Sequence, residues 1–151
     1  MKSAPVSNPN ILLVDDNRDG LLVRRSLLEE LGYRVEIAKT GEEGLKLFEI
    51  NNHDVVVTDF RMPRMDGLEL IRRIRTLNPN ARIILLSAFV EPLGLDEANT
   101  GADAVIAKSA HEPAQLVRTV KRLVNRVTPR KPPATQKNPS AGWPRASGRR
   151  I

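Results

Sequence analysis

The stretch Ile11-Leu12-Leu13-Val14-Asp15-Asp16 runs an unbroken apolar segment into two adjacent carboxylates, and Val55-Val56-Val57-Thr58-Asp59 repeats the arrangement with a third. Short continuous apolar runs suit strands of a parallel sheet, which are covered on both faces. Such sheets bind ligands beyond the carboxyl ends of their strands, so the two runs bring Asp15, Asp16 and Asp59 to one edge. Three clustered carboxylates repel one another and stay ionised only where a cation or proton relieves them. The pattern therefore asks for a divalent metal.

Outward from these runs, the apolar pattern of residues 10–127 switches repeatedly between short runs and helical spacing, the signature of alternating strands and helices. Strands are predicted near 10–14, 33–38, 54–58, 82–87 and 103–107. Between and after them lie five predicted helices. The first carries Leu21, Leu22, Leu27, Leu28 and Leu31 and closes at Gly32, which can take a left-handed cap. The second is Glu42 to Ile50. The third follows Asp66 and Gly67, read as its cap and as the residue permitting the turn, and presents Leu68, Leu70, Ile71, Ile74 and Leu77 before Asn78-Pro79. The last spans Pro113 to Val127, with Leu116, Val117, Val120, Leu123 and Val124 as its buried face. The fourth is short and starts from Leu95, because Pro92 and Gly94 would cost a helix interior about 3 and about 1 kcal/mol relative to alanine. Strict alternation implies right-handed crossovers and helices on both faces of a parallel sheet.

Composition narrows the setting. The chain of 151 residues has no cysteine, which excludes disulfides, thiolate metal sites and cysteine nucleophiles, and a reducing cytoplasmic location fits. Met1 to Pro9 lacks the apolar core of a signal peptide, and no apolar stretch approaches the roughly 20 residues needed to span a bilayer, so no membrane association is expected. The net charge is +6, yet it is unevenly placed. Residues 1–127 balance at zero, while 128–151 hold Arg130, Lys131, Lys137, Arg145, Arg149 and Arg150 without an acid. With five prolines, this tail is too poor in apolar residues to repay the cost of ordering it. The expected organisation is a flexible lead at 1–9, one domain at 10–127 and a disordered basic tail at 128–151. His53 and His111 read as exposed loop residues.

The ordered set Asp15-Asp16, Asp59, Met62-Pro63-Arg64-Met65-Asp66-Gly67, Ser87-Ala88, Gly101-Ala102-Asp103 and Lys108 resembles the receiver domain of bacterial two-component response regulators, over about residues 9–127. The resemblance implies a flavodoxin-like, doubly wound, five-stranded parallel sheet of order 2-1-3-4-5. It implies Asp59 as the phosphoacceptor, with Mg²⁺ held by Asp15, Asp16, Asp59 and the backbone carbonyl of Arg61. Lys108 would give a compact cation and Ser87 a hydroxyl donor to the phosphoryl oxygens. The implied phosphodonor is a histidine kinase or a histidine phosphotransfer protein. A downstream protein would read the face formed by the fourth helix, fifth strand and fifth helix. The chain would catalyse only its own phosphorylation and dephosphorylation.

The chain departs from the family pattern in three places. Ser109 stands where a proline commonly follows the lysine, Val105 replaces an aromatic, and the interval from Ser87 to Lys108 is one residue short. Two other readings exist. An aspartate-nucleophile phosphatase of the haloacid dehalogenase type needs a second acid two residues after the nucleophile, where this chain has Arg61. Alternatively, the basic tail with Trp143 would bind nucleic acid weakly and without sequence preference. Taken alone, Asp15-Asp16 reads more readily as a helix cap or a solvated turn than as a metal site, and residue types leave the oligomeric state open.

Overall fold

In the computed structural model, residues 8–125 are described. The expectations for residues 1–7 and for the 128–151 tail lie outside them. Five strands form one all-parallel sheet: β1 (Asn10–Val14), β2 (Arg34–Ala38), β3 (Val55–Asp59), β4 (Ile83–Ser87) and β5 (Ala104–Ala107), in the order β2-β1-β3-β4-β5. Leu12 pairs with Val56 across β1 and β3, and Ser87 with Ala107 across β4 and β5. The flavodoxin-like order is thus present as expected.

Alternate residues of the strands feed two separate cores. Leu12, Val14, Val56, Ile83 and Leu85 pack on one face against Phe48 of α2 (Gly41–Asn51) and Leu70, Ile71 and Ile74 of α3 (Gly67–Leu77). Ile11, Leu13, Val55, Val57, Ile84 and Leu86 pack on the other. There they meet Leu21 and Leu28 of the first helix, α1 (Arg18–Glu30), and Leu116, Val120 and Leu123 of the last, Glu112–Val124. This two-sided burial explains why β1, β3 and β4 read as continuous apolar runs rather than alternating ones.

Local caps set the helix ends. Asn17 Oδ1, not Asp15 or Asp16, accepts from Gly20 N at the start of α1. At its end Gly32 takes φ +96°, while Gly32 N and Tyr33 N donate to the carbonyls of Glu29 and Leu28, a Schellman closure that only glycine adopts without strain. Asp66 Oδ1 accepts from Glu69 N to cap α3, as its sequence position suggests.

Two expectations need correction. The single fourth helix from Leu95 is instead two one-turn helices, α4 (Val90–Leu93) and α5 (Glu97–Thr100), which makes Glu112–Val124 the sixth helix, α6. Pro92 is accommodated because its missing N–H falls in the first turn, where no intrahelical acceptor exists. Gly94 then stops α4 at φ +62°, and Asp96 restarts the chain through reciprocal hydrogen bonds with Asn99. The second correction concerns His53, which is buried at 4% exposure rather than solvated. Its ring stacks on Phe48 and its Nε2 lies 2.6 Å from Glu36 Oε1. An apolar neighbour and a carboxylate reaching over from β2 are contacts that local sequence does not display.

Candidate functional site

The carboxyl ends of β1, β3, β4 and β5 converge, as parallel strands in one sheet must. Asp15 follows β1 and is held in ladder geometry, its N–H donating to Ala38 O at 3.1 Å. Asp59 ends β3, Ser87 ends β4 and Lys108 follows β5, where its N–H donates to Ser87 O at 2.9 Å. Asp15, Asp16 and Asp59 each offer a carboxylate oxygen, and the three oxygens lie within 4.8 Å of one another. Asp15 and Asp59 are buried and Asp16 is exposed. Hard oxygen donors at this spacing suit a small divalent cation with open positions for water or phosphate, so the residues fit Mg²⁺.

Lys108 Nζ stands 2.6 Å from Asp59 Oδ1 and 3.5 Å from Asp15 Oδ2. Burial pushes the Asp59 carboxyl above its ordinary value. The Lys108 hydrogen bond opposes that rise and the charge of Asp15 adds to it. Ser87 is fully buried, and its Oγ accepts from Phe89 N at 2.8 Å, which leaves the hydroxyl proton to donate elsewhere. Arg61, in the loop after β3, is exposed and lies over the Phe89 ring at 4.5 Å, spanning the loops that leave β3 and β4.

Gly67 holds the loop after β3 in place. Its N–H donates to Phe60 O at 2.8 Å, and a Cβ on Gly67 would stand 2.3 Å from Asp59 O. Close approach to the strand end, rather than a special turn conformation, is what demands glycine here.

Two site residues were not identified from the sequence. Arg24 Nη1 lies 3.2 Å from Asp15 Oδ2, while its Nε and Nη2 donate to Glu112 Oε2 and Oε1 at 3.2 and 3.0 Å. Burial tends to lower the Arg24 value, but the hydrogen bonds and charge of Glu112, with Asp15 and Asp59, outweigh it and raise it. A sequence signal did exist. Asn17, Gly20 and Arg24 share one helix face at spacings of three and four, and the glycine opens room beside Asp15.

A five-stranded 2-1-3-4-5 sheet with an acidic cluster and a lysine at its strand ends is the arrangement of a receiver domain. Residues 11–121 match the family model for the response regulator receiver domain, and the chain belongs to that family. It is similar to the response regulator MprA of Mycolicibacterium vanbaalenii, with 39% identity over 79% of this chain and 52% of that protein. It is also similar to the gliding motility regulatory protein of Myxococcus xanthus, with 36% identity over 75% of this chain and 15% of that one. Both relatives are longer than the stretch they share. Among solved structures, the receiver domain of Francisella response regulator 1452 superposes with a TM-score of 0.72 at 32% identity, covering 80% of this chain and all of that one. TrrA of Thermotoga maritima, solved in complex with Mg²⁺ and BeF, superposes with a TM-score of 0.68 at 36% identity, covering 76% and 98%. Among the described residues no helix is long and apolar enough to cross a membrane.

Proposed function

We propose that the chain is a phospho-acceptor signalling domain in which Asp59 takes a phosphoryl group from a phosphohistidine. One observation carries the reading: a buried carboxylate at a strand end, with two more carboxylate oxygens within 4.8 Å and a lysine nitrogen at 2.6 Å. An Asp59 oxygen attacks phosphorus. The O–P bond forms as the P–N bond breaks, and the imidazole leaves with that electron pair and takes up a proton. Asp15, Asp16, Asp59 and the backbone carbonyl of Arg61 hold Mg²⁺, which when bound neutralises charge on the phosphoryl oxygens. Lys108 moves its cation from Asp59 to those oxygens, and Ser87 donates its hydroxyl proton to one of them.

Relatives include a response regulator, the sensor protein ArcB of Escherichia coli and a probable histidine kinase of rice. A histidine kinase or histidine phosphotransfer protein is accordingly the donor we assign. The reader is a downstream protein at the face formed by α4, α5, β5 and α6. We assign 10–127 to the receiver unit and 128–151 to a separate basic tail.

The test is intact mass after incubation with Mg²⁺ and acetyl phosphate, and in parallel with a phosphorylated histidine phosphotransfer protein. Wild type should gain one phosphoryl group and Asp59→Asn none. The reading fails if wild type gains none from either donor, or if Asp59→Asn gains as much.

A further inference from the structure

Asp15 already has partners on both carboxylate oxygens. Oδ1 accepts from Asn17 N at 3.0 Å, and Oδ2 faces Arg24 Nη1 at 3.2 Å and Lys108 Nζ at 3.5 Å. A cation approaching Oδ2 must share it with Arg24 or displace it. Arg24 is held in turn by Glu112, the first residue of α6, through two parallel N–H···O contacts. The pair is well shielded, with side-chain exposures of 13% for Arg24 and 8% for Glu112, so its charges are weakly screened. Gly20 makes the reach possible: a Cβ there would lie 2.9 Å from Arg24 Nη1.

Formal charge gives these contacts a consequence. Asp15, Asp16, Asp59 and Glu112 carry four negative charges against the two positive charges of Arg24 and Lys108, leaving two in excess, the complement of one divalent ion. Without the Glu112 charge the excess falls to one, and an uncompensated guanidinium stands against Asp15.

We propose that Arg24 and Glu112 are a positioning pair that sets the cation affinity of Asp15: Arg24 competes with the metal for Oδ2, and Glu112 limits that competition by holding the guanidinium. This rests on the Mg²⁺ site of the proposed function. It also makes the arrival of a metal at β1 felt at the first turn of α6.

Calorimetric Mg²⁺ titration of the full chain separates the possibilities. Glu112→Gln, which keeps the shape and removes the charge, should weaken Mg²⁺ binding about tenfold. The double variant Arg24→Met with Glu112→Gln restores the excess of two negative charges and should bind as tightly as wild type or more tightly. In wild type, the Arg24 Nε–H resonance should shift during titration with the same midpoint as the Asn17 amide. If the pair only ties α1 to α6, its substitution lowers stability and leaves the Mg²⁺ affinity unmoved, which would overturn the inference. So would a double variant as weak as the single one. If wild type binds no Mg²⁺ at millimolar concentration, the metal reading above falls as well. Binding by wild type with unchanged variants sinks this inference alone.

Discussion

Lys108 Nζ reaches Asp59 Oδ1 at 2.6 Å, yet the Asp59 carboxyl remains above its ordinary value because burial and then Asp15 act against ionisation. A raised value in the folded chain means that the contribution of Asp59 to stability is complete below its unfolded value. That contribution is lost as pH rises through the folded one. Asp59→Asn should therefore melt higher than wild type at neutral pH, with the advantage vanishing below pH 3.8. Mg²⁺ should reverse the order, since at about 100 times its Kd it stabilises wild type by roughly 2.7 kcal/mol and the variant by less. Thermal melts across pH, with and without Mg²⁺, check both halves.

Gly67→Ala should cost about 2–3 kcal/mol, because the added methyl meets the Asp59 carbonyl and the Phe60 backbone, which cannot swing away, as well as the fully buried Leu85 side chain. Urea denaturation measures the loss. The folded fraction should also bind Mg²⁺ more weakly, because the intruding atom displaces the strand end that carries Asp59.

Arg64 sits at φ +69° in the loop after β3, a left-handed conformation that costs most residues about 1–2 kcal/mol and asparagine less. Its exposed contact with Glu42, at 3.4 Å, contributes little. Arg64→Asn should raise stability by about 0.5–1 kcal/mol, seen as a higher urea midpoint with an unchanged slope.

Glu36 is held below its ordinary value. Its partial burial pushes the other way, but hydrogen bonds from His53 and Asn51 prevail. Its contribution is thus complete above pH 4.5 and lost as pH falls through the lowered value. Glu36→Gln should be less stable than wild type at neutral pH and converge with it in acid. His53→Ala should cost about 2 kcal/mol through the lost stack on Phe48 and the cavity left by a buried ring, while Glu36 keeps its hydrogen bond from Asn51. Melting curves from acid to neutral pH read both variants.

The strand runs ending in Asp15, Asp59 and Ser87 were readable because burial on both faces leaves an uninterrupted apolar trace, and Lys108 gained meaning from its order in that series. The strand order itself came through family resemblance, since local pattern carries no lateral pairing. Arg24 and Glu112 were missed because 88 positions separate them and each looks like a solvated helix residue alone. His53, in the loop between α2 and β3, reads as solvated for the same reason: its carboxylate partner lies on β2, 17 positions away. The split between α4 and α5 is hidden in the sequence because Pro92 reads as a helix-interior residue unless Asp96 is seen to cap a second, separate turn.

α4 buries no side chain and α5 only Thr100, whereas every residue of β4 is buried. Opening the 90–100 segment forfeits a few solvent-reachable hydrogen bonds and little apolar burial beyond the partly buried Leu95, so its amides should exchange with deuterium orders of magnitude faster than those of β4. The steepest drop in local opening free energy along the chain is therefore expected within three residues of Ser87, where a rigid strand end meets the segment that costs least to remodel.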